Sequence, residues 1–538
     1  MHLNQETLSL IKGKNIDLPA LDRAQLAERT RAAPAWVHFG AGNIFRAYLA
    51  RACQELVEAG HYDRGIIAAE GYDYEIIDMA FTPHDSLYIL VTLNADGNVS
   101  KKAVVSITES LKAAVKYEDD WNRLKDIFRS DTLQMISFTI TEKGYSLRNS
   151  DKETPPDIQG DFEHGPAKPR SYMGRIASLL YERFVNGAKP VAMVSMDNCS
   201  HNGGKLKSAV EAFAWEWEER GLAEHGFLSY IHHPDKVSFP WTMIDKITPA
   251  PHKEIRKMLE AGGLSGVAPI VTSKNTHTAV FANAEPSEYL IIEDSFPNGR
   301  PPLDKIPANI IFTDRETVDR AEKMKVCTCL NPLHTALAVF GCLLGYGKIS
   351  EQMKDPDLVS LVTKLGYGEG LPSVVNPGII DPEKFLAEVI SVRFPNPFLP
   401  DTPQRIAADT SQKLSVRFGE TIKAYIERDD LNVTDLKLIP LVFAAWLRYL
   451  MGTDDSGTGM ELSPDPLFLP LNSHIRHVKL GETSTDWRER IRPVLEDAAI
   501  FGVNLYEAGL GIRTEDMFGE LIEGPGAVRK TLQKYLED

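Results

Sequence analysis

The sequence predicts an α/β domain built on a parallel sheet and followed by a mostly helical domain, with residues 1–278 assigned to the first and 279–538 to the second. Three observations predict it. Short apolar runs alternate with amphipathic stretches through the first half; a glycine pair stands between one such run and the next helical stretch; beyond about residue 330 the strand-like runs give way to helical patterns.

Taken in order, AWVHFG (35–40), RGIIAAEG (64–71), LQMISFTIT (133–141) and PVAMVSMD (190–197) are short and apolar, as strands covered on both faces are, and all but the third have Gly or Pro at an end. IFRAYLARACQELVEAG (44–60) between the first two has helical periodicity, which makes a βαβ unit. In the second half LHTALAVFGCLLGYG (333–347), PEKFLAEVISVRF (382–394) and LIPLVFAAWLRYLMG (438–452) are helical. The stretch 149–170 is rich in Pro, Gly and charge and reads as a long surface loop.

Composition limits what such a chain does. The 538 residues carry 59 Lys+Arg against 75 Asp+Glu, a net charge of −16, which argues against a nucleic-acid partner. No run approaches the ~20 uninterrupted apolar residues of a membrane span, and the N-terminus lacks the pattern of a secretory leader. Five cysteines, odd in number, suit a reducing compartment, so residence in the cytoplasm is expected. Cys327 and Cys329 have no second pair at zinc-ligand spacing, and no metal is expected.

The glycine pair carries the first functional signal. Gly40 and Gly42 fall where a strand ends and a helix begins, the place at which backbone amides and a helix N-terminus hold a diphosphate in a Rossmann-type domain. Phe45 occupies the position of the usual third glycine. After the next strand, Glu70 or Asp73 can accept from an adenosine ribose, and a carboxylate there disfavours a 2′-phosphate, so NAD is expected over NADP.

Four further segments combine polar groups with turns: 137–147, 194–206, 241–249 and 323–346. In the second, Asp197, Asn198, Asn202, Gly203 and Gly204 follow an apolar strand, at the end of the sheet where ligands bind. In the fourth, Asn331 and Pro332 read as the N-cap and first residue of a helix, with His334 on the same turn. A capping Asn uses its side-chain oxygen and keeps its NH₂ for an oxyanion; its loss as a cap would cost ~1 kcal/mol. Lys325 or Lys323, just upstream, would feel the positive end of that helix, which lowers an ammonium toward the range of a general base.

Together these segments resemble the long-chain, metal-independent polyol dehydrogenases and hexuronate reductases, the group of mannitol 2-dehydrogenases, fructuronate reductases and tagaturonate reductases. The resemblance rests on GAGNIFRA (40–47), DSLYILV (85–91), TEKGY (141–145), DNCSHNG (197–203), MIDKITP (243–249), IIEDSFPNGRP (291–301), LNPLH (330–334), RFPNPFLPDT (393–402) and AAWLRYLMGTDDSG (444–457), in that order along the chain. It implies an active site between a Rossmann-type domain and a helical domain. It implies Lys325 as general base, Asn198 and Asn331 as amide donors to the substrate oxygen, and His334 as an orienting group. Gly40, Gly42, Asn43, Ile44, Phe45, Asp73, Thr141 and Glu142 would hold NAD, and Asp245 and Arg393 would line the substrate side. Five residues separate Lys325 from Asn331, one more than that group usually has. The form D-N-x-x-x-N-G points to the fructuronate reductase and mannitol dehydrogenase branches. Reduction of fructuronate to D-mannonate is the expected reaction, with Arg393 or Arg405 for the carboxylate; polyol oxidation and tagaturonate reduction are the alternatives, and a non-catalytic NAD-binding sensor is the rival of another class.

Overall fold

The computed structural model describes residues 1–11 and 15–537. Six strands form one parallel sheet: β1 (Trp36–Phe39), β2 (Ile66–Glu70), β3 (Ile107–Lys112), β4 (Met135–Phe138), β5 (Val191–Ser195) and β6 (Val237–Ser238). Their order is β3-β2-β1-β4-β5-β6, so the winding reverses direction between β1 and β4. Such a reversal leaves a crevice at the carboxyl ends of the two strands, where open α/β sheets bind ligands. The four apolar runs read as strands are β1, β2, β4 and β5, and every residue of each is buried.

Both faces of the sheet are covered by apolar side chains. One core gathers Phe39, Ile67, Phe128, Phe138, Leu180 and Trp217; the other gathers Trp36, Phe45, Tyr48, Ile66, Val194 and Leu290. The helix after the glycine pair opens with a π-helical stretch, Phe45–Ala50, and continues as Arg51–Glu58. Phe45 is fully buried, and its ring lies parallel to that of His38 in β1, with centroids 4.3 Å apart. A large aromatic therefore fills the helix–strand contact that a third glycine would close by proximity.

Two expectations need correction. The chain divides at Asp319/Arg320, not at 278/279. Residues 279–319 stay with the first unit because Phe281–Ala284 pairs in parallel with Tyr88–Leu93, and Tyr289–Glu293 pairs with Thr242–Asp245 and with Ile310–Thr313. The 149–170 stretch is not simply a surface loop: Pro156–His164 is a helix, and its Ile158 and Phe162 join the core. Its Asp161 carboxylate accepts from the Arg170 and Ser171 amides and from the Ser171 hydroxyl, which anchors the turn into the helix Tyr172–Val185.

The second unit is helical. Asn331–Leu343 and Leu438–Tyr449 form its centre, and every residue of the latter is buried. The Glu369 carboxylate accepts from the amides of Lys437, Leu438 and Ile439 and so terminates that helix in place of water. The run Arg315–Leu343 is long and apolar enough to cross a membrane by length and composition, but 78% of its apolar window is buried within the protein. None of the five cysteines is in a disulfide, and Cys53, Cys329 and Cys342 are buried.

Candidate active site

A cavity of about 670 Å³ opens at the carboxyl ends of β1, β2 and β4. Gly40 adopts φ +107°, and a Cβ on it would stand 2.2 Å from the Thr139 carbonyl oxygen, so only glycine closes this turn. Gly42 is different: a Cβ there would meet nothing within 4 Å, and the open space is the cavity itself. A turn bare of side chains, facing a cavity at the start of a helix, fits a diphosphate.

Glu70, at the end of β2, is spent on structure. Its carboxylate accepts from the Ala41 amide at 2.8 Å, the Tyr72 amide at 2.7 Å and the Asp73 amide at 3.0 Å. Burial pushes it up and the three amide donors pull it back. Both acids line the cavity; Glu70 is committed to these three amides, while Asp73 Oδ2 accepts from the Thr272 hydroxyl at 2.5 Å.

Of the residues expected around a cofactor, Gly40, Gly42, Asp73 and Thr141 line this cavity. Asn43 instead accepts from Arg46 Nη2 at 2.6 Å, and Ile44 directly precedes the π-helical stretch. Phe45 is turned onto His38, and Glu142 is exposed and paired with Lys205. Thr141 is held with φ +67°, its amide donating to Asp197 Oδ1 at 2.8 Å. Sequence reasoning missed Tyr72, Pro155, Ile158, Tyr172 and Met173, which form an apolar wall. The signal for it is legible in PPDIQGDF: a proline at a helix start, then Ile158 and Phe162 one turn apart. The Tyr172 hydroxyl is enclosed without a partner among the described residues.

The segment after β5 separates positioning groups from an exposed one. The Asp197 carboxylate accepts from the Ile140 and Thr141 amides and the Tyr145 hydroxyl, and burial pushes it up. Asn202 is buried, with Nδ2 donating to the carbonyls of Asp197 and Thr242. Asn198, between them, is exposed. Asp245 ends the strand Thr242–Asp245 and is buried.

In the second unit, Lys325 lies in a π-helical stretch, Met324–Cys329, that continues the helix Arg315–Lys323. The Leu330 amide donates to the Lys325 carbonyl at 3.1 Å, a five-residue closure. The residue in excess between Lys325 and Asn331 is absorbed there, since a π-turn holds one residue more than an α-turn. Lys325 thus stands in the last turns of its own helix and not in a loop before the next one. The two candidate lysines part clearly, because Lys325 is 2% exposed and Lys323 is exposed.

Asn331 is the first residue of its helix rather than the cap. Leu330 holds the cap position, Pro332 follows as the second residue, and no side chain caps this end. The helix emerges directly from the π-helical stretch, which leaves no extended residue for capping geometry. The Asn331→Ala variant should therefore keep the wild-type melting temperature while turnover falls ~10²-fold or more, the usual cost of one lost oxyanion donor. A parallel fall of both in calorimetry and steady-state assays would restore the cap.

His334 occupies the same turn. Its ring stands 5.2 Å from that of Phe394, and Nε2 is 3.5 Å from Asp401 Oδ2. Burial lowers the imidazole to about 4; Asp401 raises it, and Arg417, Arg405 and Arg393 lower it. The ring is neutral at pH 7. Because its folded value lies below the unfolded one, the unfolded chain takes up the extra proton first, and stability is lost as pH falls from about 6.5 toward 4. Ring-nitrogen NMR should show His334 neutral at pH 5.5; half-protonation near 6.5 would contradict the burial.

Residues 34–305 match the mannitol dehydrogenase Rossmann domain, and residues 317–513 match the mannitol dehydrogenase C-terminal domain. The chain belongs to the mannitol dehydrogenase family, oxidoreductases that use NAD or NADP. It is 51% identical over 540 aligned positions to the D-mannonate oxidoreductase of Thermotoga maritima, covering 100% of this chain and 99% of that one. It is 28% identical to a mannitol 2-dehydrogenase of Cereibacter sphaeroides, across 88% and 91% of the two chains. Among solved structures, the mannitol 2-dehydrogenase of Pseudomonas fluorescens in ternary complex with NAD and D-mannitol matches over 100% of both chains, with a TM-score of 0.72 and 27% identity.

Proposed function

We propose that this chain reduces D-fructuronate to D-mannonate with NADH, without a metal, in the cytoplasm. The observation that carries the reading is the full-length match to a D-mannonate oxidoreductase. NAD is favoured over NADP because the Asp73 carboxylate lines the cavity beside the glycine turn, where a 2′-phosphate would be repelled. Five cysteines with no disulfide among them suit a reducing compartment.

Gly40 and Gly42 would hold a nicotinamide cofactor, which would supply the hydride. The chain's own residues manage the proton and the charge. Lys325 Nζ donates a proton to the ketone oxygen during reduction and recovers one during oxidation, as a buried amine is suited to do. The Asn331 and Asn198 carboxamides donate to that oxygen as negative charge develops on it. His334 stays neutral, keeping one ring N–H to donate and one nitrogen to accept from substrate hydroxyls. Asp245 and Arg393 complete the substrate side.

The deciding experiment follows absorbance at the NADH band with fructuronate, tagaturonate, fructose and mannitol offered in turn, each with the NAD and NADP forms. Consumption of NADH with fructuronate, and slower reaction with NADPH, is the expected result. Preference for tagaturonate or mannitol moves the substrate within the family; binding of NADH without turnover of any substrate makes the chain a sensor.

A further inference from the structure

Three arginines surround His334 in the second unit, and they differ in how their charge is answered. Arg405 is mostly exposed and pairs with Asp401. Arg393 is 3% exposed and already partnered. Arg417 was singled out by no sequence motif, and no carboxylate among the described residues stands opposite it. Burial alone brings its guanidinium down to about 10. Lys413, one turn earlier, is pushed down by burial and then by Arg417, with Asp409 and Asp465 acting in the opposite sense on the lysine.

The position of Arg417 is fixed. Its Nη1 donates to Thr335 Oγ1 at 2.5 Å, and that hydroxyl donates to the Asn331 carbonyl at 2.9 Å. The guanidinium is therefore tied to the first turn of the helix that carries Asn331 and His334, with the rest of its planar fork left over. It sits on a π-helical stretch, Ser415–Gly419, as Lys325 sits on Met324–Cys329 and Arg393 on Val389–Arg393. Such stretches occur frequently at functional sites. Arg417 is half-buried, and a partly desolvated cation without a counter-ion costs stability that an arriving anion recovers. A carboxylate matches the fork in two parallel hydrogen bonds, which a hydroxyl cannot.

We propose that Arg417 receives the carboxylate of a sugar-acid substrate and thereby sets the preference for hexuronates over uncharged ketoses and polyols. The inference rests on the reading of the chain as a hexuronate reductase and names the residue that makes it one.

The test uses the full chain with Arg417→Gln and Arg417→Lys, each checked by circular dichroism, and reads three quantities: KM and kcat for fructuronate, Kd for D-mannonate by calorimetry, and Kd for NADH by fluorescence. In Arg417→Gln the mannonate Kd should weaken by at least about 30-fold, the usual cost of truncating one side of a buried charge pair. KM should rise more than kcat falls, Arg417→Lys should recover part of the loss, and the NADH Kd should stay within about twofold, since a cofactor in the Rossmann-type unit does not use this cation. An unchanged mannonate Kd overturns the proposal, as does parallel loss of NADH binding. If the wild type ignores fructuronate but turns over another sugar acid whose KM rises in Arg417→Gln, the substrate assignment fails and the role of Arg417 stands. A wild type active on polyols alone overturns both.

Discussion

Lys325→Ala should lower turnover by ~10²–10⁴-fold, the range that a positioned general acid–base supplies, while the affinity for NADH stays within about twofold. The two effects separate because the amine belongs to the helical unit and the dinucleotide cavity is lined entirely by residues of the first unit. Stopped-flow oxidation of NADH reads the first quantity and fluorescence titration the second. A variant that keeps a tenth or more of the wild-type rate would pass the proton to another group. Lys323 is the control: it is exposed two residues away, and its replacement by alanine should leave the rate nearly intact.

Gly40→Ala should abolish cofactor binding and destabilise the sheet, whereas Gly42→Ala should do only the first. At Gly40 the added carbon lands 2.2 Å from the Thr139 carbonyl oxygen while the backbone is held at φ +107°. Relief requires the turn after β1 to separate from the end of β4, at a cost on the order of 3 kcal/mol. At Gly42 the methyl enters open space, so melting is unchanged and only the approach of the diphosphate is blocked. Thermal unfolding together with NADH titration distinguishes the pair. Equal melting temperatures for the two variants would mean that the turn is looser than drawn.

The sheet was legible because its strands are buried on both faces, and an apolar run of four or five residues such as Val191–Ser195 advertises that burial. The edge strand Ile107–Lys112 was not, since it is only partly covered and carries Thr108, Glu109 and Ser110. Gly40 and Gly42 were readable from local spacing, whereas spacing left Glu70 and Asp73 as alternatives, and both line the cavity. The far wall of the cavity was passed over because the loop-like composition of PPDIQGDFEH masks the one-turn spacing of Ile158 and Phe162, whose packing makes it a helix. Asn331 as a cap was inferred from Asn-Pro spacing, which assumes a helix starting from extended chain; the π-helical stretch before it removes that assumption. Arg417 was invisible for a related reason. Its meaning lies in the missing counter-charge, and absence of a neighbour is a property of space rather than of sequence.

The widened coil at Met324–Cys329 makes chain length a design variable at the reactive amine. Excising a single residue between Lys325 and Leu330 would convert the five-residue closure into an ordinary four-residue turn and leave the lysine facing as before relative to Asn331, because the wide turn already takes up the residue in excess. A further inserted residue would have no such store and would rotate the ammonium by about 100° around the axis, so this coil tolerates shortening better than lengthening.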